Sequence, residues 1–505
     1  MKARIACILF VLSATLSIAA QQTFLVTNDD PFRRPNSVST YAIQSDGSLL
    51  LVGKFPSGGA GGSGTGDPSG QGIGSIATTR IVVSQDNKFV FATNAPDNTV
   101  SAFSLDSSTG LLTLVPGSPF ATGGNACQGM GLAISPNAQF LFAMNTCSQD
   151  VTSFKIGADG SLSVVGPPAS LFTAGVDIKV TGDGKFVAVS LHGFNVGVDI
   201  FSIGPGGSLT RVPGSPFPGH GGFGSALEAN CKGDLLFALE DFSPSVIDSF
   251  KVGADGSLTS APNSPFLMSL PSAANGEVSF YLSPDEKALF VSDVASFASS
   301  FTVDSQGSLT PVSSFVPATG TFFFGHVVTD PTGKFLYASG LFSNLAAYSV
   351  DSNAALTLLP GSPFTLSGGF SAIGSFAAIP AKTCRQTIPV NIRVQPDGGN
   401  TTRTPVISAG SNGLVQVAIL SSAGFDATTQ VDTTSLTFGR TGSEPSLVSC
   451  QNRPGDINRD GLADLVCSFA VRAAAFLPGD TQATLRGKTI HGATISGTAD
   501  IRAVP

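Results

Sequence analysis

The chain alternates short apolar runs with turns, and the same alternation returns after about fifty residues. One element of this repeat is apolar on both alternating faces, a pattern typical of a strand covered on both sides. Its seven copies are TFLVTND (23–29), KFVFATN (88–94), QFLFAMN (139–145), KFVAVSL (185–191), DLLFALE (234–240), KALFVSD (287–293) and KFLYASG (334–340). Each copy predicts a buried strand at the same place in a repeated unit.

A hairpin follows each buried strand, and four of these hairpins end in nearly the same pentapeptide. It is PGSPF at 116–120, 213–217 and 360–364, and PNSPF at 262–266. Its prolines are expected to end pairing at the outer edge of a sheet, because proline donates no ladder hydrogen bond. Its phenylalanines are expected to pack between neighbouring units: Phe120, Phe217, Phe266 and Phe364.

Another short strand and a turn precede each of the six later buried strands, so each unit has four antiparallel strands. Four strands in roughly 40–50 residues is the period of a β-propeller blade. The first unit lacks an inner strand before residue 23, whereas an unassigned strand, IGSFAAIP (373–380), follows the last hairpin. Pairing of these segments would close seven blades into a ring over residues 22–380. An open solenoid, the alternative, would have no reason for that reciprocal gap.

The pattern changes after residue 380. Residues 381–385 are interpreted as a linker, and residues 386–505 alternate apolar and polar positions in seven or eight short segments. Such segments are typical of a small β-sandwich. The predicted fold class is therefore all-β, with a seven-bladed β-propeller followed by a small β-sandwich.

The first twenty residues have the layout of a secretory signal peptide. Lys2 and Arg4 precede a short apolar run, which ends in the small residues Ser17, Ala19 and Ala20. The run is too short for a typical membrane span, and no later stretch is long enough for one. The alternative is an N-terminal buried strand or helix. We expect a secreted or periplasmic protein without a membrane span.

The net charge argues against a nucleic-acid partner, and the cysteine content indicates an oxidising compartment. A net charge of −8 with 12% charged residues leaves no basic surface for nucleic acid. Six of the seven cysteines follow residue 20, an even number compatible with disulfides in an oxidising compartment. Cys127 and Cys147 are equidistant from the turn at Asn137, which predicts a cross-strand pair.

The remaining cysteines leave alternatives open. Cys450 and Cys467 bracket an acidic loop and form the second predicted pair. Cys231 and Cys384 have no evident partner, and a Cys384–Cys450 bond remains a competing possibility.

The acidic loop DINRDGLADL (456–465) matches the spacing of a calcium-binding loop. Oxygen ligands on alternate residues can wrap one side of a hard cation, and a glycine at the sixth position makes the sharp turn. The predicted Ca²⁺ ligands are Asp456, Asn458, Asp460, the Leu462 carbonyl and Asp464. The twelfth position is Cys467 where an EF-hand has glutamate, so a calcium loop between strands is favoured. The alternative is a solvated turn.

The motifs KFLYASG and LAAYSVDSNAALTLLPGSPF (334–340 and 345–364) resemble the YVTN-repeat, lactonase-type seven-bladed propellers over residues 22–380. That family includes bacterial 6-phosphogluconolactonases and many secreted proteins of unassigned role. The segment after 386 similarly resembles C-terminal modules of secreted bacterial proteins.

The resemblance implies where a reaction site would lie. Lactonases of the family have a His-x-His turn, an Arg-His pair on an inner strand and a nearby acid. A lactone hydrolase needs a base to activate water and cations for the oxyanion. Here Ser225 and Ala226 occupy the Arg-His place, no His-x-His occurs, and Glu240 and Asp241 keep an acid nearby.

The four histidines after residue 20 are His192, His220, His326 and His491. His326 falls at the start of an inner strand, where it either faces the central channel or bonds to the backbone of a neighbouring blade. His192 and His220 lie in glycine-containing loops and are expected to be solvated.

Two functions follow. The favoured one is an extracellular binding or scaffold protein for a glycan, peptide or protein. The alternative is a lactonase-like hydrolase of the central channel, with His326, Glu240 and Asp241 as candidate catalytic residues.

Overall fold

The computed structural model describes most of the chain after the N-terminal segment. Residues 22–505 are described apart from positions 32, 63–78, 128, 194–195, 222, 242–244, 269–276, 294–296, 318–324, 340–343, 367–374, 385–386, 396–403, 423–424, 452–454 and 490–493. The predicted signal peptide, residues 1–20, lies outside the described residues.

Seven antiparallel sheets follow one another along the chain as propeller blades. Blade 1 contributes β1 (Phe24–Asn28), β2 (Pro35–Ile43) and β3 (Leu49–Ala60), and blade 2 contains β4 (Ile81–Val83), β5 (Phe89–Asn94), β6 (Thr99–Asp106), β7 (Leu111–Leu114) and β8 (Phe120–Ala121). Blade 3 contains β9 (Met130–Ile134), β10 (Phe140–Asn145), β11 (Asp150–Ile156), β12 (Leu162–Val164) and β13 (Ala169–Ser170), and blade 4 contains β14 (Gly175–Val180), β15 (Phe186–Leu191), β16 (Val198–Ile203) and β17 (Leu209–Arg211).

The last three blades have the same order. Blade 5 contains β18 (Phe223–Ala229), β19 (Leu235–Asp241), β20 (Val246–Val252), β21 (Leu258–Ser260) and β22 (Phe266–Leu267), and blade 6 contains β23 (Glu277–Leu282), β24 (Ala288–Asp293), β25 (Phe297–Val303) and β26 (Leu309–Pro317). Blade 7 contains β27 (Val327–Thr329), β28 (Phe335–Ser339), β29 (Asn344–Val350), β30 (Leu356–Leu358) and β31 (Phe364–Thr365), and β32 (Ser375–Ile379) follows.

The ring closes with strands from both ends of the propeller, as the sequence predicts. Strand β32 pairs antiparallel with β1, from Phe24 opposite Ile379 to Asn28 opposite Ser375, and becomes the inner strand of blade 1. Each inner strand also contacts the inner strands of both neighbouring blades around the whole ring. The predicted seven-bladed propeller is confirmed.

The apolar core lies between blades. One cluster joins Phe89 and Phe91 of blade 2 to Leu132 and Leu141 of blade 3, and the other blade pairs have equivalent clusters. The four motif phenylalanines are partly buried against these clusters, as predicted: Phe120, Phe217, Phe266 and Phe364. Packing against both neighbours explains why the second strands are apolar on both faces.

The repeated pentapeptide builds a turn and does not end edge pairing, so that part of the sequence interpretation is wrong. In blade 2 the Ser118–Pro119 bond is cis, and the Ser118 hydroxyl accepts the backbone N–H of Ala102 on the third strand. The chain then pairs again with that strand, Phe120 opposite Val100. The second position has φ of 88° at Gly117 and 64° at Asn263, a region that favours glycine and asparagine.

Residues 387–504 form a separate pair of four-stranded sheets and a two-stranded ribbon. Their elements are β33 (Thr387–Pro389), β34 (Ile392–Val394), β35 (Val406–Ser408), β36 (Leu414–Ile419), α1 (Ala427–Gln430), β37 (Val431–Gly439), β38 (Leu447–Cys450), β39 (Leu465–Ala470), β40 (Gln482–Thr489), β41 (Thr494–Asp500) and β42 (Arg502–Val504). One apolar cluster, with Phe438 and Phe469 near its centre, is shared by both sheets. This is the predicted β-sandwich.

The six cysteines of the described residues form three disulfides. Cys127 is bonded to Cys147, and Cys450 is bonded to Cys467 on the paired strands β38 and β39. The third bond joins Cys231 to Cys384, so the competing Cys384–Cys450 pair does not form. In the described part of the chain, no helix is long and apolar enough to cross a bilayer.

Candidate functional site

The central channel contains charged side chains from the inner strands, and the clearest pair joins blades 4 and 5. Lys179 Nζ of β14 lies 3.1 Å from Glu228 Oε1 of β18. Burial lowers the pKa of Lys179, but the Glu228 and Asp177 carboxylates more than offset this, so its pKa is raised. Burial also raises the pKa of Glu228, against the effect of Lys179 and Lys382. Each group therefore stabilises the charged form of the other.

Other polar side chains of the inner strands are bonded between blades. The Asp177 carboxylate of blade 4 accepts the backbone N–H of Thr79 (3.3 Å), just before the inner strand of blade 2, and of Leu227 (3.0 Å) in the inner strand of blade 5. Arg80 Nη1 lies 2.6 Å from Asp30 Oδ2, and both side chains are buried. These bonds fix blade positions and engage the charges of the channel.

His326 is hydrogen-bonded to the backbone of a neighbouring blade, which is one of the two roles that the sequence suggests for it. Its Nδ1 accepts the backbone N–H of Phe376 on β32, in the neighbouring blade 1, at 3.3 Å. Burial, with smaller effects of Lys179 and Arg80, lowers the pKa of His326 to about 3. The imidazole is therefore neutral near pH 7, and its accepting nitrogen is already engaged.

The segment 380–384, which we term the strap, crosses one end of the channel. It leaves β32 in blade 1, and the backbone N–H of Ala381 donates to Asn87 Oδ1 in blade 2 at 2.7 Å. Lys382 Nζ then lies 3.1 Å from Glu286 Oε1 in blade 6. Cys384 finally bonds Cys231, in the turn after the inner strand of blade 5. A segment with contacts in blades 1, 2, 5 and 6 runs across the channel mouth.

A second polar cluster lies at the opposite end of blade 5. Glu240, near the end of β19, accepts the backbone N–H of Gly221 through Oε2. His220 Nδ1 lies 2.7 Å from Asp248 Oδ1, and the backbone N–H of His220 donates to Asp248 Oδ2 at 3.0 Å. Since β18 and β19 are antiparallel, the end of β19 is remote from the turn that holds Cys231.

Burial determines the protonation behaviour of Glu240. Burial raises the pKa of Glu240 from its ordinary 4.5 to about 7; the Gly221 N–H and His220 oppose the rise, and the Asp248 carboxylate adds to it. A carboxyl group with this pKa can exchange protons near neutral pH, as a general base must.

Glu240 and His326, two of the three candidate catalytic residues, are hydrogen-bonded to different parts of the ring. Glu240 contacts the loop before blade 5, whereas His326 contacts β32 of blade 1. Asp241 ends β19 opposite Phe223, and its side chain lies outside the described part of the structure. His220 is engaged with Asp248, not simply solvated, while the backbone N–H of His192 donates to Ala174 O at 2.7 Å. His491 lies outside the described residues.

The proposed calcium loop lies between β38 and β39. The Asp456 carboxylate accepts the backbone N–H groups of Asp460 (3.1 Å) and Gly461 (2.9 Å), and the Asn458 amide donates to Asp460 Oδ2 (2.7 Å). Gly461 has φ of 89°, which the sharp turn requires.

Asp464 differs from the other predicted calcium ligands because it is buried. Its carboxylate accepts the N–H of Ser421 (2.8 Å) and of Ile457 (2.7 Å). The loop carboxylates do not converge on one point. Among the described residues, the one group of three potential ligands within mutual reach is Cys231, Glu286 and Cys384, whose two cysteines are bonded to each other.

Sequence reasoning missed the Lys179–Glu228 pair and the strap. A lysine and a glutamate on inner strands are unusual because neighbouring blades cover those strands, and this could have indicated a buried pair. The repeat identifies the strands, but no local pattern pairs residues of different blades.

Comparisons with known proteins agree with this architecture. Residues 36–171 match the family "Lactonase, 7-bladed beta-propeller". This match agrees with the resemblance to lactonase-type propellers that the repeat motifs indicate.

Solved structures share the propeller fold with this chain at low sequence identity. A putative 6-phosphogluconolactonase from Bacteroides fragilis is 20% identical, with a TM-score of 0.53 over 72% of this chain and 99% of that chain. The periplasmic gluconolactonase PpgL of Pseudomonas aeruginosa is 16% identical, with a TM-score of 0.54 over 70% of this chain and 98% of that chain. No curated protein sequence matches the chain significantly.

Proposed function

We propose that this lactonase-type propeller is an exported binding protein for a glycan, peptide or protein, and that its channel does not hydrolyse lactones. The observation that supports the proposal is that the charged groups of the channel are bonded to each other. Lys179 is paired with Glu228, and Arg80 is paired with Asp30. His326 is neutral and accepts a backbone N–H.

These bonds argue against catalysis in the channel. Ester or lactone hydrolysis needs a base near water and a cation or N–H donors aimed at the developing oxyanion. A lysine held by a buried carboxylate must break that bond before it can stabilise an oxyanion, and breaking a buried pair costs about 3–5 kcal/mol. The strap also covers one end of the channel, so a partner would approach from the other face.

The second candidate is a hydrolase that uses Glu240. Its pKa of about 7 and its neighbours His220 and Asp248 favour a general base on the face opposite the strap. The similarity to the Pseudomonas gluconolactonase makes a sugar lactone the first substrate to test. A glutamate with this pKa would remove a proton from water, and the hydroxide would open the ring to give a carboxylate and an alcohol.

A lactone panel that includes glucono-δ-lactone decides between the two. We expect proton release from the purified protein to equal the buffer rate at pH 7. Turnover that is lost in Glu240→Gln and kept in Glu286→Gln would overturn the binding proposal and support the hydrolase. Glycan and peptide arrays with the same protein then test binding, and a protein that binds neither class in the absence of turnover also contradicts the proposal.

The proposal also includes export of the protein and binding of Ca²⁺ by the C-terminal module. Three disulfides are consistent with an oxidising compartment. In the C-terminal module, Asp456, Asn458, Asp460 and the Leu462 carbonyl supply hard oxygen atoms on an exposed turn, which suits Ca²⁺. The buried Asp464 would hold the loop in place, because its carboxylate accepts the backbone N–H groups of Ile457 and Ser421.

A further inference from the structure

A contact between one large side chain and one glycine recurs around the propeller. In six of the seven blades, the first large residue of the second strand packs against a glycine of positive φ in the outer turn of the next blade. A β-carbon at that glycine would lie within about 3 Å of the side chain. The six pairs are Phe24 with Gly110, Phe89 with Gly160, Phe140 with Gly207, Phe186 with Gly256, Leu235 with Gly307, and Phe335 with Gly47.

The seventh contact, between blades 6 and 7, lacks both partners. Blade 6 has Ala288 where the other blades have phenylalanine or leucine, and blade 7 has Ala354 where they have glycine. Both alanines are buried in one cluster, and Ala354 keeps the positive φ of the glycines, 66°. An added methyl group does not fill the volume of a missing phenyl ring.

A groove of about 1120 Å³ occupies this place. Its floor includes Ala288, Phe290, Val350 and Ala354. Blade 6 also lacks the PGSPF turn, and Pro311 of its fourth strand lines the groove. The opening therefore coincides with the departures of blades 6 and 7 from the repeat.

Two lysines at the rim occupy a repeat position that forms an ion pair in blades 2 and 4. In blades 2 and 4 this lysine lies near the turn aspartate, with Lys185 Nζ 3.0 Å from Asp183 Oδ2. In the described part of blades 6 and 7, Lys287 and Lys334 make no ion pair. Blade 7 carries Thr332 in place of the aspartate. Blade 6 keeps Asp285, which accepts the backbone N–H of Lys287 at 3.2 Å and, like Asp351, lines the groove.

We propose that this groove binds a small aromatic carboxylic acid. The ring takes the place of the phenyl group that the other blades supply, and the carboxylate contacts Lys287 and Lys334. The floor is apolar, which suits a ring, and the lysines provide charge-assisted hydrogen bonds for an anion. This site is separate from the channel and from Glu240, so it does not depend on the proposed function.

Calorimetric titration with 3-phenylpropanoate tests the site in the full chain. We expect saturable binding with a Kd below about 1 mM. Two probes separate the parts of the ligand: 3-phenylpropanamide keeps the ring without the charge, and propanoate keeps the charge without the ring. Each should bind at least about tenfold more weakly.

Variants then locate the binding. Ala288→Phe restores the side chain of the other blades and should weaken binding by about tenfold or more, with Ala288→Leu, the residue type of blade 5, intermediate. Lys287→Met with Lys334→Met should remove the preference for the acid over the amide. Lys88→Met in blade 2 is the matched control and should change nothing.

Four outcomes overturn the proposal: no binding of 3-phenylpropanoate, equal binding of the amide, undiminished binding by folded Ala288→Leu, or the same loss in the Lys88 control. If a phenylalanine-ending peptide binds and the free acid does not, the groove is a protein-docking site and the proposal is wrong.

Discussion

The disulfide between Cys231 and Cys384 joins the turn after the inner strand of blade 5 to the strap that leaves blade 1. Its two cysteines are 153 residues apart in sequence. The bond fixes the segment after β32, the strand that closes the ring, to blade 5. A long loop closed by a disulfide loses much chain entropy in the unfolded state. The bond therefore stabilises the ring as a whole, beyond the two blades it touches.

Replacing both cysteines in Cys231→Ser with Cys384→Ser should lower the free energy of unfolding by up to about 5 kcal/mol on the chain-entropy argument. Cys127→Ser with Cys147→Ser is the matched control, because that bond closes a loop with a sequence separation of 20 and should contribute about 3 kcal/mol. Urea unfolding of the two variants measures the difference. A larger loss in the control pair would contradict the assigned role.

The Lys179–Glu228 pair predicts an asymmetric mutational response. Lys179→Met leaves the Glu228 carboxylate buried without its nearest cation, and we expect a loss of about 3–5 kcal/mol in the free energy of unfolding. The double variant with Glu228→Gln removes both charges and should be less destabilised than the single one. A double-mutant cycle by urea unfolding measures the coupling.

The pH dependence of Lys179→Met gives a second readout. Burial already raises the pKa of Glu228, and loss of Lys179 raises it further. A group with a raised folded-state pKa adds stability at low pH and loses it as the pH rises through that pKa. The destabilisation should therefore be smaller at pH 4.5 than at pH 8. An equal loss at both values would mean that Glu228 is not the group left unpaired.

Glu240 should make stability depend on pH in the same direction. Its pKa is about 7 in the folded protein, against an ordinary 4.5, so folding favours the protonated carboxyl. Its contribution is complete below pH 4.5 and is lost as the pH rises through about 7, a total of about 3 kcal/mol. The difference in unfolding free energy between the wild type and Glu240→Gln, measured from pH 4 to pH 8, isolates this effect. A difference that does not change over this range would contradict the raised pKa.

The repeat made the propeller predictable, because each blade carries the same apolar strand and the missing strand of blade 1 matched β32. The site was less predictable, since its contacts join residues far apart in sequence. Glu240 was identified as an acid near the expected reaction site, but its contact with Gly221 and the nearby Asp248 carboxylate on another strand depend on tertiary packing. The strap carries no motif at all, and only the structure pairs Cys384 with Cys231.

Departures from the repeat carry information that the repeat hides. PGSPF in three blades and PNSPF in a fourth mark the same turn, and the serine of each accepts a backbone N–H of the third strand, so the motif reports architecture. Ala288 and Ala354 are unremarkable as single residues. Their significance becomes clear only by comparison with the six Phe–Gly or Leu–Gly contacts of the other blades. Those contacts join residues of neighbouring blades, so the structure is needed to identify them.

Calcium should stabilise the C-terminal module specifically. An ion that binds only the folded state at a hundred times its Kd adds about 2.7 kcal/mol, so a chelator should lower the melting temperature of the module by several degrees. Asp460→Ala should remove this sensitivity, whereas Asp500→Ala, at the end of β41, should keep it. Calorimetry of the full chain with calcium, with magnesium and with chelator measures the effect. An unchanged melt in chelator would show that Asp456, Asn458 and Asp460 form only a hydrogen-bonded turn.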